Sequence, residues 1–153
     1  MEGFDNNKLK RVLFVCTGNS CRSVMAEIYL KKVAPWLDVI SCGLSPAHGM
    51  EVPRSVEDVL NKEGLSAASH LVKEVSEDVV NWADAILAME SYQKERLRLL
   101  YPSAKDRIYL LAEYANISPP DIHDPFGGSR EAYETGFAKI KECIDKLIAQ
   151  SKL

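Results

Sequence analysis

The chain has 153 residues, 46% of them hydrophobic and 27% charged, and its formal net charge is −3 at pH 7. This length fits one domain whose core needs no disulfide or metal, so we expect residues 1–153 to form a single domain with a flexible extension at residues 1–9. The acidic balance argues against nucleic acid as a partner, and the lack of a long apolar stretch argues against a membrane partner.

Apolar runs alternate with helical patterns in the first half of the chain. Residues 12–15 predict a buried first strand, and from Val24 onward apolar residues recur at helical spacing. Residues 39–42 predict a second strand. Pro53 is typical of a first helical turn, and the helix that follows it is expected to end near Gly64.

The same alternation continues in the second half of the chain. Ser76 is a good N-cap for a short third helix, and the apolar residues 85–89 predict a third strand. Residues 92–100 predict a fourth helix that Pro102 stops. Residues 108–111 predict the fourth strand.

A long loop and a final helix complete the pattern. Residues 113–128 contain three prolines, and a loop of this length in a compact domain is usually functional or disordered. From Ser129 onward one apolar face marks the last helix. Its members are Tyr133, Phe137, Ile140, Ile144 and Leu147. Alternating strands and helices predict a parallel sheet with helices on both faces, and such sheets bind ligands at the carboxyl ends of their strands.

Residues 16–23, here named the phosphate loop, connect the first strand to the first helix and carry the residue types of a nucleophile loop. A helix N-terminus and a nearby arginine favour the thiolate of Cys16, and the planar fork of Arg22 can hold two phosphoryl oxygens. Gly18 and Asn19 readily adopt the positive φ that inward-facing amides require. Ser23 can hydrogen-bond to the sulfur. The residues expected to bind phosphate are Thr17, Gly18, Asn19, Ser20, Cys21 and Arg22.

This loop also has interpretations that involve no nucleophile. Cys16 alone could be an ordinary buried thiol, with Arg22 a solvated residue of the first helical turn. A zinc site on Cys16 and Cys21 lacks a second pair of ligands, because the other two cysteines stand alone in the sequence. We expect neither a metal nor a cofactor.

The run Cys-Thr-Gly-Asn-Ser-Cys-Arg-Ser at residues 16–23 resembles the signature of the low-molecular-weight protein tyrosine phosphatases. Further matches lie at residues 41–43, 69–70, 85–89 and 124–128. Val24 departs from the pattern, because the family usually carries proline there. The resemblance implies a three-layer α/β sandwich around a four-stranded parallel sheet of order 2-1-3-4. It also implies a monomeric enzyme that hydrolyses phosphorylated proteins or peptides and releases inorganic phosphate.

By the same resemblance, Cys16 takes the phosphoryl group while Asp124 protonates the leaving atom, and Asp124 then activates water. On spacing alone, Asp121 is an almost equal candidate for the acid, and an aspartate before proline is often only a turn residue. The family also bonds its loop asparagine to a serine and a histidine, which here are Ser41 and His70. The alternative for His70 is a purely structural histidine.

Two further predictions concern redox chemistry and substrate. As in some family members, Cys21 could pair reversibly with Cys16 and protect it from overoxidation, or it could merely fill space. Ser20 stands where tyrosine-directed members usually carry a bulky apolar residue, and Gly127 stands where they carry a second aromatic after Phe126. The chain therefore looks closer to the bacterial protein arginine phosphatases, which have threonine at the position of Ser20. We favour phosphoarginine, with phosphotyrosine as the alternative.

Two other classes share the loop. Thioredoxin-coupled arsenate reductases have almost the same signature but need two relay cysteines, and residues 82–93, where the resemblance places the relay, contain none. A phosphate-binding module without catalysis would need neither Cys16 nor Asp124. Residues 1–10 lack the apolar core of a signal peptide, and reactive thiol chemistry suits a reducing compartment, so we expect a cytoplasmic location.

Overall fold

The computed structural model describes residues 9–47 and 49–153, in which strands and helices alternate. The elements are β1 (Arg11–Cys16), α1 (Arg22–Val33), β2 (Asp38–Gly43), α2 (Arg54–Asn61), α3 (Glu77–Trp82), β3 (Ala85–Ala88), α4 (Ser91–Leu100), β4 (Ile108–Leu110), α5 (Leu111–Tyr114) and α6 (Arg130–Ala149). The predicted extension lies outside the described residues except for Leu9, which packs against the core.

The four strands form one parallel sheet in the order β2-β1-β3-β4. This order confirms the fold expected from the resemblance. Cys16 at the end of β1 pairs with Gly43 at the end of β2, and Val15 lies beside Ala88 of β3. Because the strands are parallel, the segments that follow them all emerge at one edge of the sheet.

Helices cover both faces of the sheet, as predicted. Successive strand residues point to opposite faces, so Val12 and Phe14 of β1 join the larger core cluster and Leu13 and Val15 join the smaller one. Buried residues of α1, α2, α5 and α6 complete the larger cluster, and buried residues of α3 and α4 complete the smaller. None of the helices in the described ranges has both the length and the apolar composition of a membrane span.

The boundaries of several elements differ from the predictions. Helix α1 begins at Arg22 rather than Val24, and residues 113–128 do not start as a loop because α5 continues through Tyr114. A single helical turn is too short to show a period in the sequence. Pro102 begins a 3₁₀ turn that leads into β4. The predicted cap at Ser76 is confirmed by its hydrogen bond to the first turn of α3. Ser129 caps α6 in the same way.

Candidate active site

A cavity of about 150 Å³ opens at the carboxyl edge of the sheet. The phosphate loop forms one side of it, with Cys16 and Arg22 both lining the cavity and both buried. Asp124 and Phe126 line it from the long loop between α5 and α6, and both are about half exposed. The structure thus brings together two segments that are about one hundred residues apart in sequence.

The thiol of Cys16 receives two hydrogen bonds. Its Sγ lies 2.9 Å from the hydroxyl oxygen of Ser23, and the backbone N–H of Asn19 donates to it at 3.3 Å. The side-chain amide of Asn19 donates to the Ser23 hydroxyl oxygen at 2.9 Å, which leaves the hydroxyl proton of Ser23 free for the sulfur. Donors on sulfur stabilise the negative thiolate relative to the neutral thiol.

The backbone of the phosphate loop lies directly against β2. Leu44 and Ser45, which follow β2, donate their backbone N–H groups to the carbonyls of Cys16 and Thr17 at 2.9 Å. A Cβ atom at Gly43 would come within 2.6 Å of the Thr17 carbonyl oxygen, so only glycine allows this approach. Asn19 has a φ of 50°, as expected for a loop whose amides converge on an anion.

The side chain of Asn19 is fully buried and holds the loop from behind. Its amide donates to the Ser41 hydroxyl at 2.9 Å, and its carbonyl oxygen accepts from the backbone N–H of Lys73 at 2.9 Å and from Nε2 of His70 at 3.2 Å. Ser41 in turn donates to Glu27 at 2.7 Å. Desolvation lowers the pKa of His70, and the neutral ring keeps the Nε2–H that this contact needs.

The guanidinium of Arg22 is buried and held from two sides. Its Nη1 donates to the Ile122 carbonyl at 2.8 Å and pairs with the carboxylate of Glu90, while Nη2 lies 3.7 Å from Asp124. Among the described residues, Nε of Arg22 is buried and has no hydrogen-bond partner. An unpaired buried donor is costly, so this N–H is available to an anion in the cavity.

Sequence reasoning missed several of these partners. Glu90 and Gln93 follow β3 at the edge that carries the site, and Gln93 donates to the Thr17 hydroxyl at 3.0 Å. The hydroxyl of Tyr92 also contacts Thr17. The position of Glu90 after the predicted third strand was the only available signal, since nothing in the spacing indicated which side chains would turn inward.

The two candidate acids occupy different environments. Asp124 lines the cavity, and its carboxylate accepts the backbone N–H of Phe126 at 3.0 Å. The carboxylate of Asp121 instead accepts two hydrogen bonds from Ser91, and Asp121 does not line this cavity. The geometry therefore distinguishes Asp124 from Asp121, which their spacing in the sequence alone could not do.

Comparisons with known proteins agree with this fold. The family model "Low molecular weight phosphotyrosine protein phosphatase" matches residues 11–152. The chain belongs to this family. A protein-arginine-phosphatase of Geobacillus stearothermophilus is 38% identical over 90% of this chain and 93% of its own. A probable low molecular weight protein-tyrosine-phosphatase, EpsP, of Ralstonia solanacearum is 32% identical over 90% and 92%.

A solved structure of the YwlE arginine phosphatase, a cysteine-to-serine mutant with a phosphorylated active-site serine, superposes with a TM-score of 0.87. It is 29% identical and the match covers 93% of this chain and 95% of that one. As a low molecular weight phosphatase, the protein is a cysteine-dependent hydrolase. The relatives include arginine and tyrosine phosphatases alike, so family membership leaves the choice between these substrates open.

The other cysteines of this phosphatase are poorly suited to a thiol relay. All four cysteines are buried and unpaired with one another. Burial raises the pKa of Cys42 to about 12 and that of Cys143 to about 11, which opposes the thiolate that a relay needs. Burial also raises the pKa of Cys21 to about 11. The pairing of Cys16 with Cys21 stays a prediction. Within the described ranges, no three His, Cys, Asp or Glu side chains form a cluster that could hold a metal ion.

Proposed function

We propose that the protein removes phosphoryl groups from phosphorylated protein side chains through a covalent intermediate on Cys16. The observation that carries this proposal is the buried, unpartnered Nε–H of Arg22, a residue that lines the same cavity as Cys16 with its hydrogen-bonded thiol. A nucleophile and a free cationic donor in one small cavity are what phosphoryl transfer requires, because its catalysis is mainly positioning and charge stabilisation.

In the first step the Cys16 thiolate attacks phosphorus, so that an S–P bond forms as the bond from phosphorus to the leaving oxygen or nitrogen breaks. Asp124 donates a proton to the leaving atom. The phosphate loop amides and Arg22 carry the charge of the phosphoryl oxygens. The residues proposed to bind these oxygens are Thr17, Gly18, Asn19, Ser20, Cys21 and Arg22.

In the second step Asp124, now a carboxylate, takes a proton from water as that water attacks phosphorus. The S–P bond breaks, the sulfur leaves as a thiolate, and inorganic phosphate is released. The hydrogen bonds to the sulfur from Ser23 and from the N–H of Asn19 favour this departure. The phosphorylated active-site serine of the related arginine phosphatase mutant supports a covalent intermediate at this position.

We propose that Ser41 and His70 support the phosphate loop from behind. They hold the side chain of Asn19, which in turn holds the loop in its conformation. Both bond to the buried side chain of Asn19, and neither lines the cavity. Their contribution is to hold the amides in place before substrate binds, so that no reorganisation is needed during the reaction.

For the substrate, we propose phosphoarginine ahead of phosphotyrosine. Ser20 presents a small, nearly buried side chain to the cavity, and a Cβ atom at Gly127 would meet nothing within 4 Å. Among the described residues, Phe126 is the one aromatic side chain that lines the cavity, and a single aromatic wall suits a guanidinium better than it suits a phenyl ring held between two rings. The Geobacillus relative supports this choice. Phosphotyrosine is the second candidate, because Phe126 still offers a ring face and the Ralstonia relative is named a tyrosine phosphatase.

The deciding experiment is a turnover assay on matched phosphoarginine and phosphotyrosine peptides. Wild type, Cys16→Ser and Asp124→Asn are compared, with Cys143→Ala as the control for loss of a buried thiol away from the cavity. We expect Cys16→Ser to lose activity by at least about 10³-fold and Cys143→Ala to keep it. Equal activity of wild type and Cys16→Ser would refute the proposed mechanism, and a preference for phosphotyrosine would reverse the substrate order.

We further propose that residues 1–153 act as one phosphatase domain, as a monomer in the cytoplasm. Cys16, Arg22 and Asp124, which carry the proposed chemistry, line one cavity within a single chain, and this supports the monomer. A reducing compartment keeps Cys16 in its reduced form. Size-exclusion chromatography with light scattering tests the monomer, and a dimer that alone carries activity would contradict it.

A further inference from the structure

Asp121 begins the acid loop, here defined as residues 121–128, and ties it to the start of α4. Its carboxylate oxygen accepts the backbone N–H of Ser91 at 2.9 Å and the hydroxyl of Ser91 at 2.7 Å. Both bonds end on a charged acceptor and belong to the stronger class of protein hydrogen bonds. The first turn of α4 has a separate cap, because the side-chain oxygen of Gln93 accepts the N–H groups of Met89 and Glu90 at 3.0 Å.

The next residue, Ile122, is the point where the acid loop meets the rest of the site. Its side chain is buried, its N–H donates to the Met89 carbonyl at 2.9 Å, and its carbonyl accepts from Arg22 at 2.8 Å. On the outer side, Nζ of Lys139 donates to the carbonyl of Asp121 at 2.9 Å. The start of the loop is therefore fixed to Met89 directly after β3, to α4, to α6 and to Arg22.

Beyond Ile122 the loop has few such contacts. Its hydrogen bonds are local ones, from Phe126 to the Asp124 side chain and from Gly128 to the Pro125 carbonyl. Asp124 lies three residues after Asp121, is about half exposed, and has one charged neighbour outside the loop, Nη2 of Arg22 at 3.7 Å. The position of its carboxyl over the cavity consequently depends on the fixed start of the loop and on Arg22.

We propose that Asp121 is a positioning residue, which through Ser91 holds the acid loop so that Asp124 reaches the leaving atom. This inference rests on the proposed function, in which Asp124 is the general acid. A general acid must come within hydrogen-bond reach of the atom that it protonates, and a displacement of about 1 Å can cost on the order of 10²-fold in rate. Loss of Asp121 therefore weakens proton donation without touching the nucleophile.

The test uses two aryl phosphates that differ in their need for an acid. Phenyl phosphate has a poor leaving group that requires protonation, whereas 2,4-dinitrophenyl phosphate has a good one that does not. We expect Asp121→Ala to lower kcat/KM about tenfold for phenyl phosphate and less than about twofold for the dinitrophenyl ester. Ser91→Ala, which removes one of the two hydrogen bonds, should show the same pattern more weakly. Ser91→Thr keeps a hydroxyl and should restore the wild-type rate on phenyl phosphate.

A matched control is Ser76→Ala, which removes a serine hydrogen bond from the first turn of α3. We expect it to change neither rate, and thermal denaturation shows whether each variant folds. In an Asp124→Asn background, Asp121→Ala should cause no further loss, because residues that act through one group are not additive. If Asp121→Ala does not fold, Ser91→Ala carries the same test.

The outcomes separate the two proposals. An equal loss on both esters, or a full additional loss in the Asp124→Asn background, overturns the role of Asp121. If Asp124→Asn itself loses activity equally on both esters, the general acid of the proposed function is wrong. If Asp124→Asn loses more activity on phenyl phosphate than on the dinitrophenyl ester and Asp121→Ala does not, only the inference about Asp121 is overturned.

Discussion

The phosphate loop and the acid loop face the same cavity but are built in opposite ways. In the phosphate loop, Asn19 and Ser23 are completely buried, and the asparagine side chain bonds to four different residues. In the acid loop, Asp124 and Phe126 are half exposed, and their hydrogen bonds stay within the loop. One side of the cavity is part of the core, and the other is part of the surface.

This difference follows from what each loop must do. In the proposed mechanism the phosphate loop stabilises charge on three phosphoryl oxygens, and fixed donors do this best because they need no reorganisation. In the same mechanism the acid loop admits a substrate that is part of a protein and then protonates it. Substitutions in the phosphate loop should therefore damage both catalysis and stability, whereas substitutions of the exposed residues Asp124 and Phe126 should affect catalysis alone.

The largest expected effect is that of Arg22→Lys. Lysine keeps the positive charge but loses the planar fork that can hold two oxygens while bonding Glu90 and Ile122. We expect kcat/KM to fall about 10³-fold on either peptide substrate, measured at matched protein concentration. Arg107→Lys is the control, because Arg107 donates to the carbonyls of Val80 and Ala83 away from the cavity. An equal loss in the control would show that the effect is not specific to the cavity.

The second prediction concerns the stability of the phosphate loop. Asn19→Ala leaves several buried partners unpaired, so we expect the free energy of unfolding to fall by about 2–4 kcal/mol and activity to fall with it. Asn116→Ala is the control, because Asn116 also has a positive φ, of 59°, but is exposed. Urea denaturation should show a loss of about 1 kcal/mol there. Equal losses would mean that backbone conformation, rather than the buried network, dominates at Asn19.

A smaller effect is expected on the exposed side of the cavity. Phe126→Ala removes the aromatic wall, and we expect KM for peptide substrates to rise about fivefold, which corresponds to about 1 kcal/mol of lost contact, with little change in melting temperature. Trp36→Ala, at an exposed aromatic that does not line the cavity, should leave KM unchanged. A large drop in the melting temperature of Phe126→Ala would contradict the contrast between the two loops.

The smallest effect is a change in the pH dependence of stability. Desolvation lowers the pKa of His70 in the folded protein, so below the ordinary value of about 6.5 the unfolded chain binds more protons than the folded one. His70 therefore costs stability as the pH falls through 6.5 toward its folded value. We expect the melting temperature to drop less between about pH 7.5 and pH 5.5 in His70→Gln than in wild type. His123→Gln, at an exposed histidine, should follow wild type.

Much of the fold could be predicted from the sequence because its signals are local. The apolar strands, the serine cap at residue 76 and the strand-to-helix position of Cys16 each depend on a few neighbouring residues. The sheet order depends on which strands pair across the whole chain, and it came from the resemblance alone. Helix α5 was missed because its four residues, Leu111–Tyr114, form a single turn that tertiary packing stabilises.

The candidate site was predictable to the extent that its residues sit at strand ends. Glu90 follows β3 at the correct edge, but its contact with Arg22 depends on the path of the chain between β3 and α4. Spacing alone could not choose between Asp121 and Asp124, because three residues of loop can turn either carboxylate inward, and the choice of Asp124 came from the resemblance. The partner of Asp121, Ser91, belongs to another element, and no local pattern connects the two.

The unpartnered Nε–H of Arg22 has a thermodynamic consequence for the whole molecule. Inorganic phosphate is the product of the proposed reaction, and bound in the cavity it would supply the missing acceptor to the folded chain only. Ligand present at one hundred times its dissociation constant stabilises a fold by about 2.7 kcal/mol, so we expect the melting temperature to climb as phosphate accumulates. The same bound phosphate would compete with the next substrate. By this mechanism the enzyme would be most resistant to unfolding when it is least active, and each turnover would add to the ligand that both protects and inhibits it.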